Sequence, residues 1–155
     1  MLALVLSLLV SSEPSPSVAE QAAINSVLDG LHQAASTADG EAYFGSFTAD
    51  ARFIGTDASE RWSLEAFRDY ATPYFSRGQG WTYHPSDRVI TVADIPCRCV
   101  AWFDEQLDND SYGRTRGSGV LRLTADGWKI EQYVLSFAIP NDRARDVVKL
   151  IQKVD

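Results

Sequence analysis

The hydrophobic period of this chain changes once, near Gly78, and that change limits the fold more than any other feature. Upstream, Ala22, Ile24, Val27, Leu28, Leu31, Ala34, Ala35 and Ala38 recur at three- and four-residue spacing, predicting a helix over 18–38. Asp39 and Gly40 break it, and 41–47 predicts a short second helix with Tyr43, Phe44 and Phe47 on one face. A strand over 51–55 follows, then a polar turn over 56–60, with Arg61 and Trp62 extending a partner strand. Ser63 is placed to N-cap a third helix with an apolar stripe of Leu64, Phe67, Tyr70, Ala71, Tyr74 and Phe75. Pro73 bends or shortens its last turn.

Downstream the period is two, and strands are predicted over 81–93, 97–107, 112–124 and 128–139. Turn residues separate them, and the pair Asp126-Gly127 predicts a tight hairpin. Pro140 and Asn141 open a C-terminal helix carrying Val147, Val148, Leu150 and Ile151. Helices followed by a strand meander describe an α+β domain, with helices on one face of a curved, mostly antiparallel sheet. The 155 residues suit one domain, with no internal repeats and no linker after residue 20.

Residues 1–19 stand outside that domain, which runs over 20–155. Their nine-residue apolar run over 2–10 is too short for a bilayer, which needs roughly 20 residues. It has the length of a signal-peptide core, and Ser17 and Ala19 flank Val18 as at a cleavage site, though no Lys or Arg precedes it. The expectation is a secreted or periplasmic protein, the alternative a disordered leader on a cytoplasmic one. The formal charge of -7, from 21 acidic and 14 basic residues, excludes nucleic acid and anionic membranes as partners held by charge. Cys97 and Cys99, read as i and i+2 of an extended segment, would lie about 7 Å apart, so no bridge is expected. They read as small buried hydrophobes or a surface-facing pair. With only His32 and His84 as further candidate ligands, neither suitably spaced, no metal site is expected.

Alternation sorts each strand into two faces without labelling them. Trp102, Asp104 and Gln106 share one face of their strand, and Cys99, Ala101, Phe103, Glu105 and Leu107 the other. With an aromatic residue on each face, the sheet is expected to be covered on both sides. Gly117 and Gly119 mark a strongly bent strand or a backbone closely approached by something bulky. In the last strand Trp128, Ile130, Gln132, Val134 and Ser136 form a mixed set suited to the wall of a concave pocket.

The segments Phe53-Ile54-Gly55-Thr56-Asp57, Glu60-Arg61-Trp62, Gly80-Trp81-Thr82-Tyr83 and Ala101-Trp102-Phe103-Asp104-Glu105, in this order, carry a resemblance. With Arg116-Gly117-Ser118-Gly119-Val120-Leu121, Gly127-Trp128-Lys129-Ile130 and Ser136-Phe137-Ala138-Ile139-Pro140-Asn141, the chain resembles a SnoaL-like branch of the nuclear-transport-factor-2-like (NTF2-like) superfamily over about 18–152. The resemblance implies a cone-shaped, cystatin-like roll around the third helix, a pocket at its wide end, and a homodimer formed through the outer sheet face. It also implies either a ligand-binding protein or an isomerase or cyclase in which a pocket carboxylate moves a proton.

Asp104 is the candidate catalytic base, desolvated beside Trp102; alternatively it forms an ion pair with Arg116 on the next strand. Trp62, Tyr70, Trp81, Tyr83 and Trp102 are candidates to line a pocket for a small hydrophobic or aromatic molecule, or else make up plain core. Arg116, Ser118, Gln132, Val134 and Ser136 are candidates to orient that ligand, Gln132 and Val134 standing where related enzymes often carry His. His32 reads as lying at the edge of its helical stripe, partly solvated, and His84 as facing water. No cofactor motif is present, and no phosphate-binding loop. The reading is a ligand-binding domain first, an isomerase or cyclase second, and a protein-interaction module using the outer sheet face third.

Overall fold

The computed structural model describes residues 16–153. The apolar run of the proposed leader lies outside the described residues. α1 (Val18–Ser36) starts at Ser17, whose hydroxyl accepts from the Glu20 amide while the Glu20 carboxylate accepts from the Ser17 amide. Cleavage after Ala19 would remove that cap. α2 (Gly40–Gly45) is N-capped by Asp39. β1 (Phe47–Ile54) and β2 (Arg61–Ser63) form a short antiparallel pair, and Ser63 then caps α3 (Leu64–Phe75). β3 (His84–Val92), β4 (Val100–Asn109), β5 (Gly113–Thr124) and β6 (Gly127–Phe137) form the meander, and α4 (Ala144–Ile151) ends it with no buried residue.

The six strands make one sheet ordered β2-β1-β6-β5-β4-β3, antiparallel except where β1 runs beside β6. The helices cover its inner face. Ile24, Leu28 and Leu31 from α1 and Phe67, Ala71 and Phe75 from α3 pack against Ala101, Phe103, Leu121, Ile130 and Tyr133. Each fully buried Ile or Leu contributes roughly 1.5–3 kcal/mol. The outer face is left open by the described elements, contrary to expectation. Trp102 at its middle is 48 % exposed, because α1, α2 and α3 pack on the other side.

Two of the three glycines of β5, Gly117 and Gly119, serve close approach. A Cβ on Gly117 would meet the Tyr133 hydroxyl at 2.5 Å, and one on Gly119 would overlap the Gln132 carbonyl oxygen and sit 2.9 Å from the Phe103 ring. Besides a register shift between Phe47 and Arg52 on β1, two bulges break the strict alternation. On β6, Val120 faces Gln132 and Leu121 faces Ile130, which leaves Glu131 without a partner on β5. Glu131 instead accepts from Thr48 at 2.9 Å and pairs with Arg122 at 3.0 Å. On β3, Asp87 and Arg88 together oppose Glu105.

The cysteines depart from the sequence reading. Arg98 between them adopts φ +45°, so the segment turns tightly, the Cα atoms come within 5.1 Å, and Cys97 and Cys99 form a disulfide. An extended segment would have kept them apart. The Arg98 guanidinium donates to both carboxylate oxygens of Glu20, at 2.7 and 2.8 Å, tying the start of α1 to this turn. These bonds and those from Ser17 hold the Glu20 carboxyl down to about 2. The stabilisation is therefore complete above the ordinary carboxylate range and lost only as pH falls through about 2.

Two glycine replacements of opposite sign test this packing by urea denaturation. Gly119→Ala is expected to cost about 1–3 kcal/mol or more by overpacking. Gly30→Ala, on α1 with nothing within 4 Å of the new Cβ, is expected to gain about 0.5–1 kcal/mol.

Candidate functional site

Three charged or titratable side chains meet beneath α1. Glu105 is fully buried on the inner face of β4, between Phe103 and Leu107. The β3 bulge, with Asp87 at φ +50°, turns Arg88 inward opposite it, the re-aiming of a side chain that bulges achieve. Arg88 Nε donates to Glu105 Oε2 at 2.7 Å, and Nη1 to Asn25 at 2.9 Å and Asp29 at 2.7 Å on α1. Glu105 Oε1 lies 2.7 Å from His32 Nε2, also on α1. A carboxylate only accepts, so the imidazole nitrogen facing it carries the proton, and in the neutral ring Nδ1 is left as an acceptor. A buried carboxylate is tolerated because Arg88 and His32 replace the water it lost.

His32 also lines a cavity of about 230 Å³. Its walls are Leu31, His32 and Ala35 of α1, Tyr43 of α2, Phe53 of β1, Trp62 of β2, and Phe67 and Tyr70 of α3. Trp81, Tyr83 and Tyr112 come from connecting segments, Tyr133 and Leu135 from β6, and Gly55, Thr56 and Glu60 from the β1–β2 turn. The rings hold one another. Phe53 stacks on Phe67 at 3.9 Å, Trp62 meets Tyr70 edge to face at 4.4 Å, and Tyr43 packs against Phe75 and Trp81. Tyr70 and Tyr112 are half exposed and mark the mouth, whereas His32, Tyr43 and Tyr133 are buried at the inner end. Trp81 is seated there because Gly80 lies against the Ala35 carbonyl, where no Cβ would fit.

The hydroxyls at this end are donors that stay protonated. Burial pushes Tyr43 and Tyr133 well above the usual phenol range, and burial with Tyr112 nearby pushes Tyr83 up to about 12. Among the described residues no group of three His, Cys, Asp or Glu side chains is placed to hold a metal ion.

Of the residues singled out in the sequence, Trp62, Tyr70, Trp81 and Tyr83 line this cavity. The others do not. Asp104 and Trp102 lie exposed on the outer face, because Ala101, Phe103, Glu105 and Leu107 are the inward set of β4. Arg116 and Ser118 share that outer face, across from Gln106 and Asp104, and no Asp104–Arg116 ion pair forms among the described residues. Gln132, Val134 and Ser136 also face outward. Trp128 and Ile130 do point inward, but the bulge at Glu131 shifts the phase by one residue, so Tyr133 and Leu135 continue the inner face. His32 is 9 % exposed rather than partly solvated. Its signal was present in the sequence, since Ile24, Leu28 and His32 follow one another at four-residue spacing on the buried stripe. Glu105 had a signal too, as the lone charge in an otherwise apolar set. Arg88 had none, because the bulge that aims it depends on the backbone conformation at Asp87.

Removing one member of a buried pair leaves the other charge uncompensated. Glu105→Ala is expected to lose about 3–5 kcal/mol in urea denaturation. Asp104→Asn, on the open face, is expected to leave the midpoint unchanged; equal losses would contradict the burial difference described here.

No curated protein matches the chain. Among solved structures, the fold matches a protein from Novosphingobium aromaticivorans named provisionally as an aromatic ring hydroxylase, with TM-score 0.65 and 19 % identity over 81 % of this chain and 94 % of that one. It also matches a provisional dehydratase of the NTF2-like family from Streptomyces avermitilis, with TM-score 0.65 and 13 % identity, covering 79 % and 98 %. A provisional ketosteroid isomerase from Parabacteroides distasonis gives TM-score 0.58 and 20 % identity, covering 76 % and 86 %. These likenesses establish the fold. The three names differ, and none is carried over by so distant a likeness. Residues 24–140 match the SnoaL-like domain model, and the chain therefore belongs to the SnoaL-like domain family.

Proposed function

We propose that the chain binds a small, flat, mostly apolar molecule in the cavity between α1, α3 and the inner sheet face. The observation that carries this reading is the cavity itself: about 230 Å³, walled by aromatic rings, with polar atoms confined to few positions. An empty apolar cavity of about 150 Å³ already accepts benzene, so this volume suits a molecule of one or two rings. Binding of single-ring probes is expected at a Kd on the order of 10⁻⁴ to 10⁻³ M. Trp62 and Trp81 stand in the wall, so their fluorescence reports occupancy. Toluene and naphthalene should change the emission saturably, and Leu135→Trp, which fills the cavity, should abolish the saturable response. If neither probe saturates, the reading fails.

Proton transfer is the second reading, and one contact favours it. The carboxylate base expected at Asp104 is outside the cavity, whereas His32, held by Glu105 at 2.7 Å, lines it. In that role Nδ1 takes the proton and Glu105 stabilises the imidazolium. Deuterium exchange at the α-carbon of cyclohexanone, compared between the native chain and His32→Gln, tests it; equal rates would remove the reading.

Export is part of the proposal. It rests on the apolar run over 2–10 together with the Cys97–Cys99 disulfide, a bond that persists in oxidising compartments. Among the described residues no helix is long and apolar enough to cross a membrane. Expressed as the full chain in a bacterial host, the mature protein should begin at Glu20 in the periplasm and gain the mass of two hydrogens on reduction. An unprocessed chain with free thiols would overturn export.

A further inference from the structure

Resting on the cavity reading above, we infer that the ligand carries a hydroxyl on its ring, a phenol or the enol of a cyclic ketone, and presents it between His32 and Tyr133. Two atoms at the inner end carry the argument. His32 Nε2 is committed to Glu105, and Nδ1 has no hydrogen-bond partner among the described residues. Among the described residues the one fully enclosed side-chain nitrogen or oxygen without a partner is Arg88 Nη2, so His32 Nδ1 is not fully enclosed, and the His32 ring lines the cavity. The Tyr133 hydroxyl is in the same position. It forms no hydrogen bond among the described residues, it is not sealed, and Tyr133 lines the cavity. The His32 ring and the Tyr133 hydroxyl lie beside one rung of the sheet. Glu105, which holds His32, pairs across strands with Gly117, and the Tyr133 hydroxyl sits directly over Gly117.

These two atoms have opposite requirements. In its neutral form the imidazole presents a lone pair at Nδ1, because its N–H is donated to Glu105, and that lone pair needs a donor. The phenol of Tyr133 supplies a proton and needs an acceptor. One hydroxyl satisfies both, donating to Nδ1 and accepting from Tyr133. An ether or a carbonyl satisfies only the tyrosine, and a hydrocarbon neither. Leaving a desolvated polar atom without its partner is the strongest discriminator a small pocket possesses. The aromatic walls restrict the hydroxyl's carrier to a flat ring.

The test compares four one-ring probes on the full chain, by Trp fluorescence and calorimetry, in one buffer at one pH. Phenol offers donor and acceptor, anisole the acceptor alone, and toluene and ethylbenzene neither, with ethylbenzene matching anisole in size. The expected result is phenol binding at least about tenfold tighter than anisole, with ethylbenzene close to toluene. Tyr133→Phe should reduce the preference for phenol over toluene, and His32→Gln should remove the preference for phenol over anisole. The four probes on the native chain decide the matter even if either variant fails to fold. Anisole within about threefold of phenol overturns the hydroxyl requirement while leaving the cavity reading standing. A deficit of anisole no greater than that of ethylbenzene against toluene also overturns it, since size alone would explain the order. If none of the four binds, the cavity reading falls, and this inference with it.

Discussion

The Glu105 carboxylate, fully buried on the inner face of the sheet, is the constraint around which the rest is arranged. Taking a carboxylate out of water costs several kcal/mol unless its lone pairs are met in good geometry. Two partners arrive from different directions. Arg88 reaches Glu105 only because β3 spends an extra residue at Asp87, and His32 reaches it only because α1 lies across the strands at this height. Arg88 is in turn held by Asn25 and Asp29 of α1. The network thus sets the position of α1 over β3 and β4, fixes the orientation of the imidazole, and leaves its other ring nitrogen without a partner among the described residues.

The cavity is the space that bulky rings leave when they pack on a curved sheet. Gly117 and Gly119 let Tyr133 and Phe103 press against β5, and Gly80 lets Trp81 lie against α1. The aromatic rings brace one another, which leaves a pocket with rigid walls and little polar surface. The polar groups of the wall are few: His32 and the buried Tyr43 and Tyr133 hydroxyls at the inner end, with Thr56 and Glu60 of the β1–β2 turn and the exposed Tyr70 and Tyr112. Provisional names as different as hydroxylase, dehydratase and isomerase stand on the same scaffold, so what this chain does depends on that short list of atoms rather than on its fold.

Much of the architecture was legible in the sequence because it rests on local rules. The switch of period near Gly78 separated helices from meander, Ser63 capped α3 as its position requires, and Asp126-Gly127 closed the β5–β6 hairpin, with Gly127 at φ +97°. The candidate site was legible only in part. Trp62, Tyr70, Trp81 and Tyr83 line the cavity, and they sit where local order and bulk suffice to place them. Asp104, Arg116, Gln132 and Ser136 face away from the cavity, which alternation could not reveal because it yields two sets and no label. On β6 the alternation itself failed at Glu131, where one inserted residue reverses every side chain beyond it.

By itself, the sequence determined the order and type of the elements, the α+β class, the positions of the turns and the wealth of aromatic side chains. Those follow from periodicity, capping and turn chemistry, which act over a few residues. Tertiary structure alone decided which face of the sheet is concave, that Arg88 turns inward, that Cys97 and Cys99 meet, and that His32 and Glu105, far apart in the chain, share a proton-bearing contact. Each of these depends on a backbone conformation or a packing direction fixed by distant segments.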